Sequence, residues 1–343
     1  MMHRQAASPE KESDRKGGNK MKTYDVVGIG DLCLDITAGV PKIPETDMAQ
    51  RLLFQTSQGG GKVPTAMVAL SRLGASCTLF ATYGGDGAGR YCRQELADAG
   101  VDTGHMVCLK QEATNLTFCL AEQQTGGRSC IGSYGLRGIL PEELDRGVIE
   151  TAKYLHLWKM TPAALLAAEW IHEAGGRVVF DADRYEKETE EHIGITDVFI
   201  CSEFFFREMC GEAQSSKALR DGLKRIRSRG PKTVIVTRGA KGYAGIDADG
   251  YFEGSAFTEI EVVDSTGAGD VFHGAYIYGL LQEKDARESA RYAAAVAAIK
   301  CTRSGGRTGI PDARTTELFL ESGTIDPAVA EKWSAYYKAH ALI

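Results

Sequence analysis

The chain has 343 residues, 43% of them hydrophobic, with a formal net charge of −6 and a pI near 5.7. That length buries a substantial core, in one large α/β domain or two modest ones. The acidic balance with scattered Lys and Arg excludes nucleic acid as a primary partner, because that needs a clustered basic surface. No run approaches the roughly 18 apolar residues that cross a bilayer, and the N-terminus lacks the apolar stretch of a signal peptide, so a cytoplasmic protein is expected.

In chain order, residues 1–20 are polar, charged and almost without large apolar side chains, and are expected to be a disordered extension. The fold is expected to start at Met21 and run to residue 320. Short apolar runs at 26–29, 78–81, 154–157, 178–180, 198–201 and 234–237 predict buried strands. Helical patterns at 63–73, 90–99, 163–174 and 286–299 follow several of them. This alternation predicts an α/β fold, a mostly parallel sheet with helices on both faces and ligands at the carboxyl ends of the strands. Residues 36–56 and 114–133 break the alternation with extended, β-like sequence and predict a small separate sheet. Residues 321–343 carry Trp333, Tyr336 and Tyr337 at helical spacing and predict a terminal helix packed on the domain. The nine cysteines form no Cys-x-x-Cys pair and no zinc spacing, which predicts reduced thiols.

The chemistry is concentrated in Asp264-Ser265-Thr266-Gly267-Ala268-Gly269-Asp270, which leads into the apolar helical stretch 271–281. Small residues at a helix entrance leave the amides of Gly267, Ala268 and Gly269 free to converge on an anion, where the helix dipole is also positive. Asp270, one residue further on, is placed to take a proton from an attacking alcohol. Asp264 as a simple helix cap explains less: a cap needs one good residue, and two glycines cost conformational entropy that an ordinary helix start avoids. The other phosphate-binding patterns are missing. Lys62 after Gly61 is followed by Val63, not Ser or Thr, and Gly28-x-Gly30 reaches Cys33 where the dinucleotide pattern needs glycine or alanine.

The 264–277 segment resembles the C-terminal signature of the PfkB, or ribokinase-like, family of sugar and nucleoside kinases. Gly60-Gly61-Lys62-Val63-Pro64-Thr65, with Arg72-Leu73-Gly74 downstream, resembles its N-terminal signature, and Gly84-Gly85-Asp86, Asp181-x-Asp183 and Thr237-Arg238-Gly239 fall in order between the two. The resemblance implies ATP-dependent phosphorylation of a sugar hydroxyl, with Asp270 as general base and the 267–269 amides as anion hole. It implies sugar contacts at Asp35, Gly60, Gly61 and Thr65, with Lys62 and Arg128 adding positive charge. Nucleotide contacts fall at Ser202, Thr237, Gly239, Gly242 and His273, with Mg2+ accompanying ATP. A monovalent cation, K+, is implied around Asp264, Thr266, Gly305 and Gly309, and the small sheet as a lid that doubles as a homodimer contact. Ser202 and Phe205 stand where many members have Asn-x-x-Glu, and Thr65 where ribokinase-like members commonly have Asn. The run from Lys300 to Pro311 is similar to the branch containing sulfofructose kinases, although no sulfonate-binding cluster is evident in the lid. A nucleoside kinase and a non-catalytic sugar-binding protein are the alternative readings.

Overall fold

A computed structural model describes residues 23–125 and 127–342; the extension expected over 1–20 and the start at Met21 lie outside them. The main sheet has eight strands, in the spatial order Tyr251–Gly254, Tyr243–Ile246, Thr233–Thr237, Val198–Ser202, Arg177–Ala182, Tyr154–Leu157, Val26–Ile29 and Cys77–Phe80. The last six run parallel, and the first two add an antiparallel hairpin at one edge. Helices cover both faces, so alternate residues of one strand enter different cores: Val179 packs into one, and Val178 and Phe180 into the other. This double burial is why these strands read as continuous apolar runs. Each predicted strand and helix is present, with ends moved by a few residues at most.

From Val26–Ile29 the chain goes first to the edge strand Cys77–Phe80, then returns to the opposite neighbour, Tyr154–Leu157. Ligands in open α/β sheets bind at such a reversal, beyond the carboxyl ends of the strands. The expected second sheet has four strands: Phe54–Gly60, Cys33–Val40, Asn115–Glu122 and Arg128–Ser133. Its strand Phe54–Gly60 runs, one residue on, into the helix Lys62–Leu73, so the lid sheet and the main sheet share one covalent corner.

That corner is fixed from below by Arg307 and Glu95, both fully buried. Arg307 donates from Nη1 to Glu95 Oε1 at 3.1 Å, from Nη2 to the Gly60 carbonyl at 3.0 Å and from Nε to Thr65 Oγ1 at 3.3 Å. Glu95 also accepts from the Gly59 amide and, at 2.6 Å, from the hydroxyl of Tyr337. Tyr337 lies on the terminal helix Ala328–Ala339, where it and Trp333 are buried. Trp333 stacks under the Arg72 guanidinium, 3.8 Å from the ring centroid. All nine cysteines are free thiols, and among the described residues no helix is long and apolar enough to cross a membrane.

Removing one partner of a buried ion pair leaves an uncompensated charge, at a cost of about 3–5 kcal/mol. Glu95→Ala is therefore expected to lower unfolding free energy by that amount in urea titrations; a loss below about 1 kcal/mol, typical of exposed pairs, would contradict the role assigned to it.

Candidate active site

Residues 264–267 turn into the helix Ala268–Leu281. The carboxylate of Asp264 accepts from the amides of Thr266 and Gly305, each at 2.8 Å, and so curls the loop onto the 305–309 segment. Gly267, at the N-cap, has φ 74°, a left-handed conformation that side chains other than glycine resist. A Cβ on Gly269 would meet nothing within 4 Å, so the first turn of the helix opens onto free space. The Ala268 amide, expected to face the anion with those of Gly267 and Gly269, donates instead to the Ser265 carbonyl at 3.2 Å; the other amides at that end, with the positive pole of the helix, favour an anion. Asp270 sits in the same turn. Burial raises its pKa; the Lys62 ammonium works against that, and Asp181 adds to it.

Lys62 opens its helix directly after Gly61, which has φ 94°. Its Nζ lies 2.8 Å from Asp183 Oδ2 and 5.8 Å from the Trp158 ring centroid. Burial lowers its pKa, but Asp181, Asp270 and Asp183 together outweigh that and hold the ammonium above its ordinary pKa. Asp35, on the lid strand Cys33–Val40, accepts from the Cys33 thiol at 3.0 Å. Its pKa is pushed up to about 6, chiefly by burial, with Asp270 adding to the rise while Cys33 and Arg307 oppose it. Asp35 and Asp270 therefore lie within electrostatic reach of each other. The fold thus gathers Asp35, Gly60, Gly61, Lys62 and Asp270 from three distant stretches of sequence.

The glycine pair serves the protein itself. A Cβ on Gly60 would lie 2.2 Å from the Asp35 carboxylate, and one on Gly61 2.1 Å from the Asp31 carbonyl. Thr65 is buried with its hydroxyl taken by Arg307, so it faces the interior and not the lid. Arg128 is exposed on its lid strand and donates to the Ser265 carbonyl at 3.1 Å; beside it, Cys119 Sγ lies 3.7 Å from Thr266 Oγ1. The lid thereby touches the glycine-rich loop directly.

Towards the far edge of the sheet, Ser202 and Thr237 are register partners at the carboxyl ends of adjacent strands. Ser202 caps the helix Glu203–Cys210 by accepting from the Phe205 amide at 3.0 Å, and donates to the Asp183 carbonyl. Glu203 is held by Lys241 at 3.0 Å, with Arg238 at 3.8 Å. Gly239 and Gly242 bound the tight turn after Thr237, and a Cβ on Gly242 would lie 2.1 Å from the Gly254 carbonyl. His273, expected with the nucleotide set, points elsewhere. It is 4% exposed, stacks on His156, and has Nε2 3.3 Å from Asp181 Oδ1. Burial pushes its pKa down to about 3, so the ring is neutral and this contact is not an ion pair.

Of the residues expected around a monovalent cation, Asp264, Thr266 and Gly305 meet in the loop. Gly309 lets its segment pass Lys300 closely, since a Cβ there would lie 2.3 Å from the Lys300 carbonyl. Sequence reasoning missed the side chains of Arg307, Glu95 and Lys300. Arg307 sits in a Gly-rich run that reads as a surface loop, Glu95 in an amphipathic helix, and Lys300 at a helix end where a cation suits the dipole.

The model of the pfkB family carbohydrate kinases matches residues 23–313. The chain is 28% identical over 268 residues to a ribokinase of Haemophilus influenzae, covering 76% of this chain and 87% of that one. It is 28% identical over 300 residues to an ATP-dependent ribose-1-phosphate kinase of Halopiger xanaduensis, covering 86% and 97%. Among solved structures, an E. coli protein described as a candidate ribokinase II, in complex with ATP and Mg2+, superposes with a TM-score of 0.73 at 24% identity, covering 87% of this chain and 99% of that one.

Proposed function

Because the chain belongs to the pfkB family and is an ATP-dependent carbohydrate kinase, we propose that it phosphorylates a hydroxyl of a hexose, a ketose or a related sugar derivative with Asp270 as general base. The observation that carries this reading is the position of Asp270. It stands in the first turn of a helix whose entrance opens onto free space at Gly269, within electrostatic reach of Asp35 on the lid.

In this reading Asp35 accepts hydrogen bonds from sugar hydroxyls, and the corner at Gly60, Gly61 and Lys62 closes one side of the sugar site. Asp270 takes the proton of the attacking hydroxyl while the amides of Gly267 and Gly269 stabilise the anionic phosphoryl oxygens. Lys62 and Arg128 supply positive charge on either side. Arg128 also ties the lid to the Ser265 carbonyl, which supports closure over the sugar and exclusion of competing water.

Magnesium-ATP supplies the phosphoryl group and neutralises its charge. Among the described residues no group of three or more His, Cys, Asp or Glu is arranged to hold a metal. The nearby carboxylates of Asp183 and Glu203 are already paired with Lys62 and Lys241. These residues fit a magnesium ion held mainly by phosphates and water, with Ser202, Thr237 and the Gly239 to Gly242 turn lying along the nucleotide.

The outer lid face supports a homodimer. Phe118 and Ile131 are cross-strand partners there and are 48% and 72% exposed, an apolar patch of the kind that a second copy covers. Ile131→Asp is expected to shift the protein from dimer to monomer in sedimentation equilibrium; a parent that is already monomeric would refute the contact.

Asp270→Ala is expected to lower kcat for sugar-dependent ADP release by about 10²–10⁴ with little change in melting temperature. Retention of full kcat would remove Asp270 as the base. Because an ionised Asp35 accepts stronger, charge-assisted hydrogen bonds than its protonated form, sugar binding measured by calorimetry without nucleotide should weaken as pH falls through about 6. In Asp35→Asn that limb should disappear and binding should stay weak throughout; an unchanged limb would assign it to another group.

A further inference from the structure

Lys300 ends the helix Ala286–Lys300, and its side chain is fully buried. Its Nζ donates to the main-chain carbonyl of Asp264 at 2.9 Å and to that of Thr266. An isolated buried ammonium is strongly disfavoured, and burial does lower the Lys300 pKa; the charges of Asp264 and Asp270 offset part of that. In turn, Lys300 helps to hold Asp264 ionised against the penalty of its own burial.

The geometry bears on the anion hole. The described chain has no cis peptide bond, and in a planar trans peptide the carbonyl of one residue and the amide N–H of the next point in opposite directions. A Thr266 carbonyl drawn down onto Lys300 therefore turns the Gly267 N–H away from Lys300. The Asp264 carbonyl does the same for the N–H of Ser265. The ammonium thus orients the entrance of the cradle from beneath.

A monovalent cation implied for this loop would need these same inward-facing oxygens. Two of them already carry an ammonium, and a second cation beside it in a dry site would be repelled. K+ does not fit the loop as it stands. Resting on the kinase reading above, we propose that Lys300 is a built-in replacement for the monovalent cation: a positioning residue whose tethered charge sets the anion hole, so that turnover does not depend on K+.

The test compares sugar-dependent turnover and melting temperature of the parent and of Lys300→Ala in choline, sodium, potassium and ammonium chloride at equal ionic strength. The parent should show the same kcat and the same melting temperature in choline as in potassium. Lys300→Ala, whose shortened side chain leaves room for an ion, should lose about 10²–10³ in kcat in choline, as when an anion-hole donor is removed. Potassium or ammonium should restore much of that loss and raise the melting temperature of the variant only. A parent whose kcat or melting temperature rises specifically with K+ overturns the proposal. So does a Lys300→Ala protein with undiminished kcat, or with a loss that no cation reverses, since Lys300 would then act through packing alone. If the variant does not fold, the cation profile of the parent decides by itself. A failed general base in Asp270→Ala would be a separate result, because the melting comparison needs no turnover.

Discussion

The buried pair of Arg307 and Glu95 is the constraint on which the arrangement of the site depends. A guanidinium and a carboxylate with no solvent exposure stabilise a fold only when their remaining hydrogen-bonding capacity is used. Here it is. Arg307 spends its donors on Glu95, the Gly60 carbonyl and Thr65, and Glu95 spends its acceptors on Arg307, the Gly59 amide and Tyr337. One ion pair thereby joins the lid corner, the helix that follows it, the 305–309 loop and the terminal helix. The 305–309 loop carries the Gly305 amide that holds Asp264, so both halves of the site hang from the same internal cation.

The balance of charge around Asp270 sets what the site can accept. Asp35, Asp181, Asp183 and Asp270 share one region, and Lys62 is the ammonium on which three of them act. Such a group is acidic on its own and would repel a triphosphate. The compensation comes from fixed dipoles and from charge outside the carboxylate group: the amides at the entrance of Ala268–Leu281, Arg128 from the lid, and the metal that accompanies the nucleotide. Lys62 therefore has two tasks. It keeps Asp183 ionised and it offsets part of the burial that raises Asp270.

The layered fold was readable because its strands are buried on both faces and its helices carry regular apolar faces, and both leave periodic traces in sequence. The glycine-rich loop and Asp270 were readable because backbone amides facing an anion require small residues at fixed places. The rest depends on contacts between distant residues. Nothing near Lys300 in sequence says that its ammonium reaches two carbonyls more than thirty positions earlier, nor does anything near Arg307 announce Glu95. Thr65 and His273 were assigned to ligands on position alone, yet in the fold their polar atoms answer Arg307 and Asp181. A polar residue in a signature segment can serve the protein or the ligand, and only its partners distinguish the two.

The glycines make that distinction sharpest. A Cβ on Gly60 would strike Asp35, one on Gly61 the Asp31 carbonyl, one on Gly242 the Gly254 carbonyl, and one on Gly305 the amide of Gln58. At these four positions glycine lets the protein approach itself, drawing the lid carboxylate, the helix start, the edge turn and the C-terminal loop into place. Gly269 differs, since a side chain there would meet no protein atom. Its smallness serves no internal packing, so the constraint on it comes from whatever enters the free space in front of the helix. A helix start costs less with alanine than with glycine when nothing needs the room. The uncrowded glycine beside Asp270 is therefore the one whose presence argues for an anion, while the crowded ones argue for the scaffold that holds it.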